Sequence, residues 1–250
     1  MMDRIILATF AVALLSAILI AQSPTPEKEP VKANSRPSPT PTAAVSEPFD
    51  KADVSTMAGK CVTLETESGS IVIEMYPESA PETVRNFLNL TAIGAFDTTM
   101  FTRVVPGFVI QGGNLYARDG KITNELGLRA RRTVVDEPNK ILHERGIVSM
   151  ARTEEPNSAT TNFFILVGPA PHLDGKFSAF GKVRSGMDVV DSINKAPVTD
   201  ERPEKPVKIK KASVAACPAD QTSKSRSSVI LNSFAIDGWP WAIATSMPLR

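Results

Sequence analysis

Between residues 62 and 214 the chain changes character every few positions, short runs rich in Val, Ile, Phe and Thr giving way to Gly, Pro, Asn and Asp. That rhythm admits many short strands and leaves room for few helices. Residues 62–67 and 70–75 flank Ser68-Gly69 and read as a hairpin with a tight turn. Strand-like runs follow at 99–105, 108–111, 146–151, 163–167 and 179–183, and 206–214 supplies a last alternating strand. Two helices are legible between them. Ser79-Ala-Pro-Glu82 has capping-box spacing, after which Val84, Phe87, Leu88 and Thr91 recur at helical intervals as far as Gly94. In 187–194, Met187, Val190 and Ile193 share a helical face. Many short strands with two separated helices predict a mainly β fold, a closed antiparallel barrel, because closure removes the exposed edges that strands otherwise leave.

The two ends of the chain do not read as core. Residues 5–20 carry no charge and follow Arg4, the pattern of a secretory signal, and Ala21-Gln-Ser23 offers small residues for cleavage. An uncleaved anchor over residues 5–21 is the alternative, since about 17 apolar residues is the lower limit for spanning a bilayer. From Ser23 to Pro48 seven prolines lie among Ser, Thr, Lys and Glu. Such a segment buries too little apolar surface to offset its ordering entropy, so an extended spacer is expected. The reading is therefore a signal or anchor over 1–22, a Pro-rich linker over 23–57, one domain over 58–217, and a tail over 218–250. The tail holds both tryptophans, in Trp239-Pro-Trp241, without clean periodicity; disorder is expected there, with surface docking as the alternative.

The 28 Lys and Arg against 27 Asp and Glu give a net charge of +1, which argues against nucleic acid as a partner. Arg129, Arg131 and Arg132 form one local basic cluster, expected to be a solvated loop. Cys61 and Cys217 lack metal-ligand spacing and only two histidines occur, so no metal site is expected.

Within this frame, Phe101 to Gly113 stands out because Arg103 and Gln111 sit in an otherwise apolar segment. In an extended chain Phe101, Arg103 and Val105 share one face until Pro106-Gly107 breaks the register, after which Val109 and Gln111 form a second set with Phe108 and Ile110 opposite. Arg103 carries a permanent charge and five donors, so apolar surroundings cost it hydration unless it has a partner. A core carboxylate is one such partner; a ligand is the other.

Four blocks resemble the cyclophilins, the peptidyl-prolyl cis-trans isomerases, and fall in that family's order: 101–113, 146–152, 157–165 and 173–183. The likeness runs from about Cys61 to Cys217, and Met150-Ala-Arg-Thr153 with Ser158-Ala-Thr160 is similar to the bacterial exported, periplasmic branch. The resemblance implies an eight-stranded barrel capped by two α-helices, isomerisation of X-Pro bonds without a cofactor, and X-Pro-containing polypeptides as partners of a monomer. It further implies that Arg103 is the donor to the prolyl nitrogen, with Gln111 holding the substrate carbonyl and buttressing Arg103. Phe108, Val109, Phe164 and Leu173 would form an apolar cup, and the backbone at Ala151, Arg152 and Thr153 would pair with an extended peptide. Strand alternation sends Phe163 and Phe164 to opposite faces, and Phe164 is expected in the pocket.

Departures from the family pattern cluster around that pocket. Asn162 stands where glutamine is usual, Thr102 replaces a common histidine, Val109 a methionine and Phe177 a histidine. His172 takes a rim position that is tryptophan in many eukaryotic members, which implies weak cyclosporin binding. Arg152 replaces a common asparagine and adds charge beside the peptide groove. No site residue is carried over from the Arg-rich stretch 115–145. The family's first and last strands lie close together, so Cys61 and Cys217 form a bridge or remain two free thiols; export, periplasmic or secreted, would favour the bridge. Two other functions compete. A proline-peptide binding module or holdase would need the cup without Arg103. A hydrolase has little support, since no Gly-x-Ser-x-Gly elbow occurs and neither His143 nor His172 lies beside a nucleophile in sequence.

Overall fold

The two-residue turn at Glu67-Ser68 fixes the first register. In the computed structural model, which describes residues 46–219, β1 (Lys60–Thr66) and β2 (Gly69–Met75) pair antiparallel with Thr66 opposite Gly69. The expected signal or anchor, the linker as far as residue 45 and the tail from residue 220 lie outside the described residues. A short helix, α1 (Val54–Met57), precedes the hairpin, and α2 (Pro81–Ala92) follows it. Next come β3 (Arg103–Val105), β4 (Val109–Gly112), α3 (Asn124–Arg129), β5 (Ile147–Met150) and β6 (Phe163–Leu166). A 3₁₀ turn (Pro171–Leu173) leads to β7 (Ala179–Ser185) and α4 (Met187–Asn194). A two-stranded ribbon, β8 (Val198–Thr199) and β9 (Arg202–Pro203), stands apart before β10 (Ile209–Ala216).

Eight strands form one antiparallel sheet in the order β10-β1-β2-β7-β5-β6-β4-β3. The sheet curls into a half-barrel. Its end strands share no ladder; instead the chain just before β3 meets the start of β10 and the residues leading into it, through Thr98 N–H to Ile209 O at 2.8 Å, Ile209 N–H to Thr99 O at 2.7 Å, and Phe101 N–H to Val207 O at 3.0 Å. Pro106-Gly107 ends β3 after three residues, too short a strand to carry a full ladder.

The two faces of the sheet carry separate cores. One face packs Phe87 of α2 against Phe96, Phe163 and Phe180, with ring centroids 4.9–5.2 Å apart, and Val104, Ile110, Val148 and Ile165 join that cluster. The other face gathers Val109, Ile147, Phe164, Leu166, Leu173 and Ala179 into a smaller cluster. Strands buried on both faces read as continuous apolar runs, which is why Phe163-Phe-Ile-Leu166 shows no alternation in sequence.

Four local expectations need correction. Phe101 precedes β3 and lies fully buried in the larger core, so it does not share a face with Arg103. The capping box does not form: α2 begins from Ala80 without a side-chain cap, and the Glu137 carboxylate accepts instead from Glu82 N–H at 3.0 Å and Thr83 N–H at 2.7 Å. The linker assignment extends too far. From residue 46 the chain is packed on the domain, with Met57 fully buried and Phe49 N–H donating to Asn89 Oδ1.

Nor is the basic cluster wholly solvated. Arg129 is buried, its Nε donating to Glu47 Oε1 at 2.5 Å and its Nη2 to Asn86 Oδ1 at 2.8 Å, while Arg131 and Arg132 are exposed. The Arg129 and Glu47 side chains retain only 8% and 10% of their exposure. Removing one member of a buried pair strands the other charge. Glu47→Ala should therefore lower the unfolding free energy by about 3 kcal/mol in urea melts of the full chain. A loss below about 0.5 kcal/mol would place the pair with exposed ones.

Candidate functional site

Pairing of β3 with β4 sets Arg103 opposite Gln111 and Val105 opposite Val109, all on the face of the smaller core. Pairing of β4 with β6 then brings Phe164 opposite Gln111. Arg103, Phe108, Val109, Gln111, Ala151, Arg152, Phe164, His172, Leu173 and Phe177 line one cleft of about 210 Å³. Phe108 joins Val109 there although alternation would separate them, because Phe108 belongs to the turn between β3 and β4; its N–H donates to Val105 O at 3.0 Å.

That turn is held by a residue the sequence did not single out. Asn194, the last residue of α4, donates from Nδ2 to Val105 O at 2.9 Å and Val109 O at 3.0 Å, and its Oδ1 accepts from Gly107 N–H at 2.8 Å. One buried amide thus satisfies three backbone groups of the loop that presents Phe108. Just past β4, Gly113 adopts φ +87°, and a Cβ there would lie 2.3 Å from Thr161 O, so glycine alone lets Gln111 and Phe164 lie side by side.

Thr153 and Asn162 do not line the cleft. Asn162 contributes its carbonyl, which accepts from Ala151 N–H at 3.0 Å, and Thr153 N–H donates to Ser158 Oγ at 3.1 Å. Neither amide is a free donor for a bound peptide. Arg152 lies over Phe177, its Cζ 5.0 Å from the ring centroid, and its Nη1 donates to Thr153 O at 2.9 Å. His172 packs against Phe108 with centroids 5.5 Å apart.

Arg103 has a carboxylate partner, though not a core one: its Nε donates to Glu201 Oε2 at 2.7 Å, with both side chains about half exposed. Its Nη1 reaches Gln111 Oε1 at 3.4 Å. Among the described residues Nη2 has no partner, so charged donors remain directed at the apolar cleft.

Beneath the cleft lies a Ser–His–Asp chain. His143 Nε2 is 3.0 Å from Ser149 Oγ and His143 Nδ1 is 3.1 Å from Asp174 Oδ1. Although the atoms have hydrolytic order, Ser149 is fully buried and His143 is 2% exposed, so no substrate reaches the hydroxyl. The chain is a strut, tying β5 to the residue after Leu173 under the cup. Donation from the His143 backbone N–H, foremost, holds the Asp174 carboxyl below its ordinary range. Its anion accepts from the Nδ1 side of the ring, and Nε2 faces the Ser149 hydroxyl. A carboxyl depressed by folding stabilises the fold above its unfolded pKa, about 4, and that support is lost as pH falls through the lower folded value. Thermal melts from pH 6 down to pH 2 should show a steeper acid loss for the wild type than for Asp174→Asn; parallel curves would remove Asp174 from the acid transition.

Known proteins match this chain over the same region. The family profile described as "Cyclophilin type peptidyl-prolyl cis-trans isomerase/CLD" covers residues 61–214. The peptidyl-prolyl cis-trans isomerase ppi1 of Schizosaccharomyces pombe is 40% identical over 154 residues, 60% of this chain and 96% of that protein. A peptidyl-prolyl cis-trans isomerase of Acinetobacter baylyi is 35% identical over 167 residues, 61% of this chain and 84% of the relative. Among solved structures, a cyclophilin type isomerase of Cryptosporidium parvum in the presence of the dipeptide Ala-Pro superposes with a TM-score of 0.55 at 28% identity, covering 62% of this chain and 98% of its own. With the curled eight-stranded sheet and an arginine-flanked apolar cleft on its outer face, the match makes this chain a member of the cyclophilin-type peptidyl-prolyl cis-trans isomerase family.

Proposed function

We propose that the domain accelerates rotation about X-Pro bonds by binding the twisted amide better than the planar one, with Arg103 as the donor. An X-Pro amide resists rotation by ~18–20 kcal/mol because the nitrogen lone pair is delocalised into the carbonyl. As the bond twists, the prolyl nitrogen pyramidalises and its lone pair becomes an acceptor. A donor aimed there interacts mainly with the transition state, so it raises turnover more than affinity. Lowering the barrier by ~7 kcal/mol gives roughly 10⁵-fold acceleration. One charge-assisted hydrogen bond supplies part of this, and positioning with desolvation supplies the rest.

The observation that carries the reading is the pairing of free Arg103 donors with an apolar cup. Val109, Phe164 and Leu173, each under 10% exposed, offer a dry floor for a pyrrolidine ring, and Phe108 walls it. Gln111, 3.4 Å from Arg103 Nη1, buttresses the guanidinium and lies where it can hold the substrate carbonyl. The test is exchange NMR on an Ala-Pro peptide with catalytic amounts of the full chain. Accelerated cis–trans exchange supports the reading; exchange at the uncatalysed rate would leave a peptide-binding module.

We further infer that the protein acts outside the cytoplasm, in the manner of the bacterial exported branch, as a monomer on extracytoplasmic clients. The uncharged run 5–20 after Arg4 favours export, with retention by residues 5–21 as the alternative fate. Supporting it, Cys61 and Cys217 are bridged, with Cα atoms 4.8 Å apart, and disulfides persist mainly in oxidising compartments. Fractionation of producing cells and N-terminal sequencing of the recovered protein test this; recovery of a cytoplasmic chain with two free thiols would refute it.

A further inference from the structure

The ribbon of β8 and β9 contributes one residue to the chemistry that neither strand pattern nor family likeness marks. Asp200 and Glu201 form its two-residue turn, and both lie in the left-handed region, at φ 50° and 62°. Such turns favour Asn and Gly, because a side chain beyond Asn or Asp is strained there. Glu201 is therefore a poor turn residue by local rules. Two contacts account for it. Its backbone carbonyl accepts from Val104 N–H at 2.8 Å, filling a donor on β3, the last strand of the sheet. Its carboxylate takes Arg103 Nε at 2.7 Å. A single residue thus fixes both the strand that carries Arg103 and the near edge of the guanidinium.

We propose that Glu201 is a positioning residue for isomerisation, engaging Arg103 through Nε so that the Nη edge is turned towards the prolyl nitrogen. This rests on the role of Arg103 proposed above. A guanidinium is planar and rigid, so holding one edge orients the opposite edge. The Gln111 contact at 3.4 Å is too long to do this alone. Without Glu201, Arg103 regains rotamer freedom that must be lost again in each transition state, at a cost of roughly tenfold in rate. The half-exposed pair contributes little to folding, so turnover rather than stability should report its loss.

Glu201→Gly separates the two roles, since glycine keeps the backbone carbonyl and adopts the left-handed turn freely. In the full chain this variant should lose about tenfold in kcat/KM for an Ala-Pro peptide. The peptide Kd should stay within about twofold and Tm should be equal or higher. Glu201→Gln, whose Oε1 still accepts from Nε, should recover to within about threefold of wild type. In an Arg103→Ala background Glu201→Gly should cause no further loss, the mark of a residue acting through another. Wild-type kcat/KM in Glu201→Gly, or a tenfold loss that persists without Arg103, would overturn the proposal. An Arg103→Ala variant as fast as wild type would instead remove the reading beneath it, which the same set of rates distinguishes.

Discussion

Replacing Arg103 with alanine is expected to lower kcat/KM for an Ala-Pro peptide by about 10²–10³-fold, the usual consequence of deleting one donor aimed at transition-state charge. The peptide Kd should change by less than about threefold, because the cup of Phe108, Val109, Phe164 and Leu173 is untouched and a planar prolyl nitrogen offers no lone pair to the guanidinium. Stability should also hold, since the Arg103–Glu201 pair is half exposed. Exchange NMR gives the rate and a titration of the same sample gives the affinity. Arg103→Lys should rescue little, because a point charge cannot keep Glu201 on one edge while presenting donors from the other. Equal exchange rates for wild type and Arg103→Ala at equal affinity would exclude the mechanism.

The second large effect concerns folding. The bridge between Cys61 and Cys217 spans 156 positions. In the chain-entropy treatment, closing a loop of that length in the unfolded state stabilises the fold by about 5 kcal/mol. A domain of this size holds roughly 5–15 kcal/mol in all, so the bridge is a large share of the total. Converting both cysteines to serine should lower Tm by roughly 10–20 °C. Specific activity at 25 °C should survive, because β2 and β7 stand between β1 and the strands β4, β5 and β6 in the sheet order. Calorimetry of the double variant, alongside wild type with and without reductant, measures the shift; a change under about 3 °C would mean that the unfolded chain is already compact.

What the sequence disclosed follows a physical division. Alternation and turn residues are local, and all eight sheet strands formed where those signals lay, as did α2 and α4. The cleft residues were reachable because strand pairing places short motifs side by side: Arg103 with Gln111, Gln111 with Phe164. What stayed hidden is the set of polar contacts made across long stretches of chain. Glu137 caps α2 from 55 positions away, Asn194 clamps the Phe108 turn from 87, and Glu201 reaches Arg103 over 98. No periodicity encodes such pairs. The Ser149–His143–Asp174 strut shows the opposite hazard, since its atoms spell hydrolysis and only burial denies it. The capping-box spacing misled for a related reason: a distant carboxylate took the Glu82 amide that Ser79 would have served, and the Thr83 amide with it.

The covalent clasp also decides how the domain bears mechanical load. A pull entering through residues before Cys61 and leaving after Cys217 passes directly across the sulfur–sulfur bond, and the sheet between them carries no tension. Among the described residues the arm before Cys61 can be drawn out, and Glu47 on Arg129 anchors it. Under stretching in an oxidising medium the Arg103 cleft would stay assembled; in a reducing one, β1 and β10 would peel apart from their paired ends first.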